Sequence, residues 1–253
     1  MIKSKFTLIE LLVVVAIIGI LLSLLLPSLR SAKRKAYRAV CASNESQQYK
    51  GLAMYVTNNN SYFPGVHTNG SHKMMMIWAP RIRTYMGGDV ESFNCPEQDE
   101  STYWKLDLSG RQSRHHDNQA VWGYYENEKK IAWSDPIFNY GMNDWGTDGR
   151  YRGRQLGLGN ELNINDPSIP GNVQVMKVVQ PDQHIAVADS LVNTRFNFVI
   201  DPTNPNEYVN GVHEGGAMTL FTDGHVKWYQ AHVLKRTAHE IKQMWNNDFV
   251  ANH

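Results

Sequence analysis

From Phe6 to Leu26 the chain reads FTLIELLVVVAIIGILLSLLL, and sixteen of those 21 residues are Leu, Ile, Val or Phe. A helix needs roughly 20 apolar residues to cross the hydrocarbon core of a bilayer, and this run supplies them. At about 0.3 to 0.6 kcal/mol gained per central apolar residue, the sixteen outweigh one ionised side chain costing about 2.5 to 3.5 kcal/mol. That side chain is Glu10, near one end of the run, where the cost is lower still. Insertion wins. A buried core helix seldom runs this long without a polar face. A secretory signal has an apolar stretch of about 7 to 15 residues and a small-x-small cleavage site, which Pro27-Ser28-Leu29-Arg30 does not offer. A plain single-span anchor remains, and Glu10 adds to it, because an ionisable group placed in lipid is expensive and reads as functional.

The rest of the 253 residues are chemically different. Lysine and arginine number 25 against 24 acids, a formal charge of +1, which argues against a dedicated nucleic-acid binder. With 19% charged and 11% aromatic residues, wholesale disorder is excluded. Two cysteines, Cys41 and Cys95, allow at most one internal disulfide and exclude a four-cysteine zinc site.

Lys5-Phe6-Thr7-Leu8-Ile9-Glu10-Leu11-Leu12-Val13-Val14 resembles the amino-terminal signature of type IV prepilins and type II secretion pseudopilins. The resemblance implies that residues 1–5 are a cytoplasmic leader, cut before Phe6 by a membrane prepilin peptidase, after which the new amine is methylated. It makes Glu10 the family's glutamate, the fifth residue after the cut, and Pro27 its helix-kinking proline. The family usually has Gly before the cut; Lys5 stands there in this chain. By the same resemblance, 6–27 is the transmembrane and assembly segment, 28–58 an amphipathic spine, and 59–253 an exported globular domain. A buried carboxylate must be paired or neutralised, and the Phe6 amine of a neighbouring subunit is the expected partner of Glu10. The partners implied are this chain itself and other pilin-like subunits, the prepilin peptidase, membrane lipid and the secretion or pilus machinery, with no nucleic acid. Arg30, Lys33, Arg34, Lys35 and Arg38 outnumber Lys3 and Lys5, so the positive-inside rule alone would keep the carboxyl-terminal part in the cytoplasm. The family places it in the periplasm or at the cell surface, and the more specific signature is followed here.

Past Pro27, Leu29, Ala32, Ala36, Ala39, Val40, Gln47, Leu52 and Tyr55 keep helical spacing until Asn58-Asn59-Asn60-Ser61. The expected class is α+β: a long N-terminal helix packed on a small antiparallel β-sheet, with long loops and a short C-terminal helix. Val173–Val179, His184–Asp189, Phe196–Ile200, Ala217–Thr222 and His225–Gln230 are the strand candidates. Met74–Met86 and Ala231–Asn246 read as helices, and Asp99–Gln155 as loops.

Asp223-Gly224, between two β-rich runs, predicts a two-residue type I′ hairpin with Phe221 opposite Val226 and Thr219 opposite Trp228 on the face that packs on the spine. His213 with Asp223-Gly224 resembles the H-x9-DG element of a large group of prepilin-like proteins, and Cys41-Ala42-Ser43-Asn44 and Cys95-Pro96 match its Cys-x-x-Asn and Cys-Pro elements. Strand Ala217–Asp223 spans roughly 20 Å and the lead from His213 folds back only about 13 Å. His213 and Asp223 are therefore read as structural, the first through a local hydrogen bond and the second for the turn, with no shared metal. Cys41 and Cys95 read as a disulfide, which an oxidising compartment would preserve, or as two inert buried thiols. Asp144-Trp145-Gly146-Thr147-Asp148-Gly149 lacks the EF-hand pattern and reads as a turn. Some pseudopilins hold calcium in a late loop, so calcium there is the one cofactor the resemblance leaves open. His115-His116 stand outside any H-E-x-x-H, and no nucleophile elbow, phosphate loop or dinucleotide fingerprint occurs, so no catalytic residue is assigned. The expected function is a pilin-like filament subunit; the alternative is a membrane-anchored module that does not polymerise, with glycan as a candidate ligand, although core packing explains most of the seven Trp and twelve Tyr.

Overall fold

A computed structural model describes residues 7–69, 75–76, 78–108, 122–129, 131, 138–145, 157–159, 161–163, 173–192, 198–202, 204, 208–235 and 239–249. Lys5, Phe6, His115, His116 and the stretch from Gly146 to Gly149 lie outside these residues. Helix α1 runs unbroken from Leu8 to Asn58, 51 residues and about 75 Å. Its start is a capping box. The Glu10 amide donates to Thr7 Oγ1 at 3.3 Å, and the Thr7 amide donates back to Glu10 Oε2 at 2.8 Å. Pro27 sits inside the helix without ending it.

From Leu8 to Ala36 every residue of α1 is exposed. This helix is long and apolar enough to cross a membrane. Burial begins at Cys41 and continues through Asn44, Glu45, Gln48, Gly51, Leu52 and Tyr55, one face of the helix. The expected stripe was different: Leu29, Ala32, Ala36, Ala39 and Val40 are exposed because full burial starts only at Cys41, just past Arg38 and its contacts to Glu214 and Trp228, and Gln47 is exposed because it lies off the buried face. Three of the seven buried residues are polar, and the amides of two of them, Asn44 and Gln48, bond to loop backbone. Asn44 Nδ2 donates to the Asn94 carbonyl at 2.9 Å, and Gln48 Nε2 to that of Ser92 at 2.7 Å. Gly51 allows close approach here, since a Cβ would lie 2.7 Å from Met86 Sδ.

Strands β1 (His67–Asn69) and β2 (Met75–Met76) precede helix α2 (Trp78–Arg83). Strands β3 (Tyr140–Asn143), β4 (Glu161–Asn163), β5 (Ile185–Asp189), β6 (Val199–Ile200), β7 (Gly216–Phe221) and β8 (Val226–Gln230) follow, then helices α3 (Ala231–Leu234) and α4 (His239–Trp245). The main sheet has the order β6-β3-β5-β7-β8; it is antiparallel except that the edge strand β6 runs parallel to β3. A small sheet has the order β2-β1-β4. The class is α+β, with α1 packed against β7 and β8. The expected helix 74–86 is shorter because Met75–Met76 pair with β1. Val175–Lys177 form a 3-10 turn, not a strand; Val175 and Val179 are exposed, and only Gln174 bridges, to Tyr62. The stretch read as loops holds the central strand β3, whose four residues are all buried and so show no alternation. The single closing helix is two, since α3 ends at Leu234, capped by Lys235, and α4 starts at His239.

The hairpin turns on three residues, Thr222-Asp223-Gly224. The Gly224 amide donates to the Phe221 carbonyl and the Phe221 amide to that of His225, each at 2.9 Å. Only Gly224, at φ +99°, has positive φ, so the turn is a G1-bulge type and not the expected type I′. The extra residue slips the register by one: Leu220 opposes Val226 and Met218 opposes Trp228. These four join the core that holds Cys41, Leu52 and Tyr55 of α1, while Phe221, Ala217 and Tyr229 pack with Leu234 and Trp245. A Cβ on Gly224 would lie 2.3 Å from the Tyr49 ring of α1. Gly224→Val should therefore lower stability by about 1–3 kcal/mol, read as a fall in the thermal unfolding midpoint; an unchanged midpoint would remove this turn from the docking of sheet on spine.

Candidate functional site

Where α1 meets the sheet, three elements and a loop bring titratable side chains together. The helix supplies Cys41 and Glu45, one turn apart on the same face. Cys95 and Glu97 come from the loop after Phe93, Asp189 ends β5, and His213 stands in the turn before β7. The loop is pinned by the buried Asn139, whose Oδ1 accepts from the Cys95 amide at 2.8 Å while its Nδ2 donates to Thr102 Oγ1 at 2.9 Å. Asp189 is aimed by the Met218 amide, which donates to its Oδ2 at 2.7 Å. The His213 backbone is fixed on both sides: its amide donates to the Gly216 carbonyl at 2.9 Å, and its carbonyl accepts from Trp228 Nε1 at 3.0 Å.

The side chains then converge. His213 Nδ1 lies 2.7 Å from Glu97 Oε2. Its Nε2 lies 3.3 Å from Asp189 Oδ2 and 3.5 Å from Cys95 Sγ. The Sγ atoms of Cys41 and Cys95 are 2.6 Å apart. Cys41, Cys95, Asp189, Glu45 and His213 are all buried. Asp189 Oδ1 and both Glu45 carboxylate oxygens have no hydrogen-bond partner among the described residues.

Burial opposes charge at Glu45, Cys95, Asp189 and His213. It pulls the His213 pKa down, but the hydrogen bonds to Asp189 and Cys95 outweigh it, and the imidazole is pushed up to about 11. Burial pushes Asp189 up against the opposing bond and charge of His213. Glu45 is pushed well above the usual carboxylate range by burial and then by Asp189. The neighbouring Cys41 thiol, then burial, raise Cys95. A thiol so raised and so enclosed is a poor nucleophile.

The expected site residues fall in three places. Glu10 and Pro27 lie on the exposed half of α1. Cys41, Cys95 and His213 meet in the cluster; the His213 side chain is joined to it by contacts from distant elements, while its backbone bonds locally to Gly216. Asp223 stays apart, in the hairpin turn, where its Oδ1 accepts from the His225 amide at 3.1 Å and lies 2.7 Å from His225 Nδ1.

Over 57 residues the chain is 46% identical to the type IV wide pilus major component PilA4 of Thermus thermophilus, a match covering 22% of this chain and 44% of that protein. Over 60 residues it is 42% identical to the type II secretion system core protein G of Aeromonas hydrophila, covering 24% of this chain and 42% of that protein. The chain is prepilin-like. It spans less than half the length of these curated relatives. No family model and no solved structure matches it.

In this prepilin-like chain, sequence reasoning missed Glu45, Glu97, Asn139 and Asp189. Two signals were legible: Glu45 lies four residues past Cys41 on one helical face, and Asp189 puts a charge at the end of the apolar strand run Ile185-Ala186-Val187-Ala188. Glu97 and Asn139 carried none, because loop geometry alone brings them in. Asn139→Ala should cost about 1–3 kcal/mol by stranding the Cys95 amide without an acceptor, measured by denaturant unfolding. A loss within about 0.5 kcal/mol, the size of an ordinary surface change, would show that Asn139 does not hold the loop.

Proposed function

We propose that this chain is a pilin-like subunit of a type IV pilus or type II secretion filament. It is cut between Lys5 and Phe6 by a prepilin peptidase, anchored in the membrane by the first half of α1, and assembled through that same segment. The carboxyl-terminal domain is exported. The observation that carries the reading is the first half of α1, apolar and exposed from Leu8 to Leu26 and left uncovered by the rest of the described chain. About 20 such residues match the bilayer core. Sister helices fill the same need in a filament, which is why one segment serves both states. The matches to a pilus major component and a secretion core protein point the same way. Pro27, near the bilayer boundary of this segment, removes one intrahelical donor and gives the helix a place to bend on moving from lipid to filament.

One observation favours a second reading, a tethered module that never polymerises. The Glu10 carboxylate is already engaged within its own chain, accepting from the Thr7 amide and from Thr7 Oγ1, each at 2.8 Å. A charge so capped needs no neighbour. In the filament reading the same carboxylate also receives the cationic Phe6 amine of the next subunit.

Amino-terminal mass analysis of protein from native membranes should find a chain beginning at methylated Phe6; an intact Met1 on a chain that stays monomeric in detergent would favour the tethered module. Glu10→Gln separates the two roles of the acid, since glutamine keeps the capping box and loses the charge. It should leave membrane insertion intact and abolish co-assembly with wild-type subunits. Assembly retained by Glu10→Gln but lost by Glu10→Ala would reduce Glu10 to a helix cap.

A further inference from the structure

We infer that Cys41, Cys95, Asp189 and His213 bind one zinc ion, which ties the spine helix to the sheet. The four offer two sulfurs, an imidazole nitrogen and a carboxylate oxygen, all lying within 4.8 Å of one another and all buried. Zinc takes tetrahedral sites built from these ligand types, and thiolate with imidazole selects it over calcium or magnesium. The donors come from α1, a loop, the end of β5 and the turn before β7, so closing the site requires the fold to be complete.

The surroundings are those of a metal-binding histidine. His213 directs Nε2 at Asp189 and Cys95, while Glu97 holds Nδ1 from behind at 2.7 Å. A carboxylate on the far nitrogen fixes the tautomer and ring orientation that a metal needs. Asp189 keeps one oxygen on the Met218 amide, and the other is buried without a hydrogen-bond partner among the described residues. A disulfide would engage only the two sulfurs. It would leave unexplained why a carboxylate-backed imidazole and a second carboxylate with an open oxygen converge on the same point. The sulfurs, 2.6 Å apart, must open to about 3.8 Å, the edge of a tetrahedron with zinc–sulfur bonds of about 2.3 Å. On binding, Cys41 and Cys95 each lose a thiol proton and His213 gives up its Nε2 proton, all released to solvent.

The full-length chain, purified in detergent under reducing conditions, tests this. Elemental analysis should find one zinc per chain. Cobalt(II) added to chelator-stripped protein should give the thiolate charge-transfer band and intense visible bands of a tetrahedral site. His213→Ala and Asp189→Asn should weaken binding and alter that spectrum. Glu97→Gln should cost about 10–100-fold in zinc affinity and leave the spectrum in place. If the ligand variants do not fold, the wild-type cobalt spectrum decides. A folded, fully reduced chain that takes up neither metal overturns the site. So does native-membrane protein lacking zinc and lighter by two hydrogens, the mass of a Cys41–Cys95 disulfide. The result is separable from filament assembly, because Glu10→Gln should retain its full zinc content.

Discussion

Half of one helix has no partner among the described residues of its own chain, and the architecture follows from that. An apolar rod about 30 Å long left in water would cost far more than a domain of ordinary stability can supply. It must lie in lipid or against other helices. The other half of α1 solves a different problem. Its buried face carries Cys41, Asn44, Glu45 and Gln48 among Gly51, Leu52 and Tyr55, and its side-chain amides bond to the backbone of the loop around Ser92 and Asn94. Directional bonds therefore set where the domain sits along the helix, while Leu52, Tyr55 and the β7–β8 hairpin supply the apolar contact. A purely apolar stripe would let the domain slide by a turn; polar anchors do not.

The same division explains which parts of the fold were legible. The rod was legible because hydropathy over about 20 residues has one physical solution. The hairpin was legible as a hairpin but not in register. Asp-Gly fits both a two-residue turn and the close of a three-residue loop, and the longer loop is held here from outside the hairpin, by the Thr222 amide on the His184 carbonyl at 3.0 Å and the Asp223 amide on the Pro181 carbonyl at 3.1 Å. One residue of difference exchanged the faces of β7, sending Met218 and Leu220 to the spine and Phe221 to the closing helices. Strand β3 was hidden for a related reason: Tyr140-Gly141-Met142-Asn143 is buried on both faces between β5 and β6, so no alternation marks it. The start of α1 was legible and overlooked, since Thr7-Leu8-Ile9-Glu10 is a capping-box sequence in its own right.

The buried cluster was half legible. Cys41, Cys95 and His213 were singled out by motif, yet their meeting could not be read from spacing, because 54 residues separate the cysteines and 118 separate Cys95 from His213. What joins them is the path of β5 and β7 through the centre of the sheet, which delivers Asp189 and the turn holding His213 to one spot. Asp223 follows His213 closely in sequence, yet the length of β7 lies between them and carries it to the opposite end of that strand. The spacing within the His213–Asp223 motif thus measures the strand between two residues, not a shared site.

The two sites act on the same helix from opposite ends. At the amino end Glu10 meets Thr7 and, in the proposed filament, a neighbour's amine; at the domain end Cys41 and Glu45 are buried in the cluster that also holds Cys95, Asp189 and His213. In the proposed filament, a subunit extracted from lipid and stacked among others would be loaded along α1, and the load would reach the globular part through the contacts at Cys41 to Tyr55. Apolar packing resists separation but slips under shear, whereas a ligand set that needs α1, a loop, β5 and the turn before β7 in one geometry resists both. A cross-link at the first buried position of the spine, where force enters the domain, is therefore placed where it can do most.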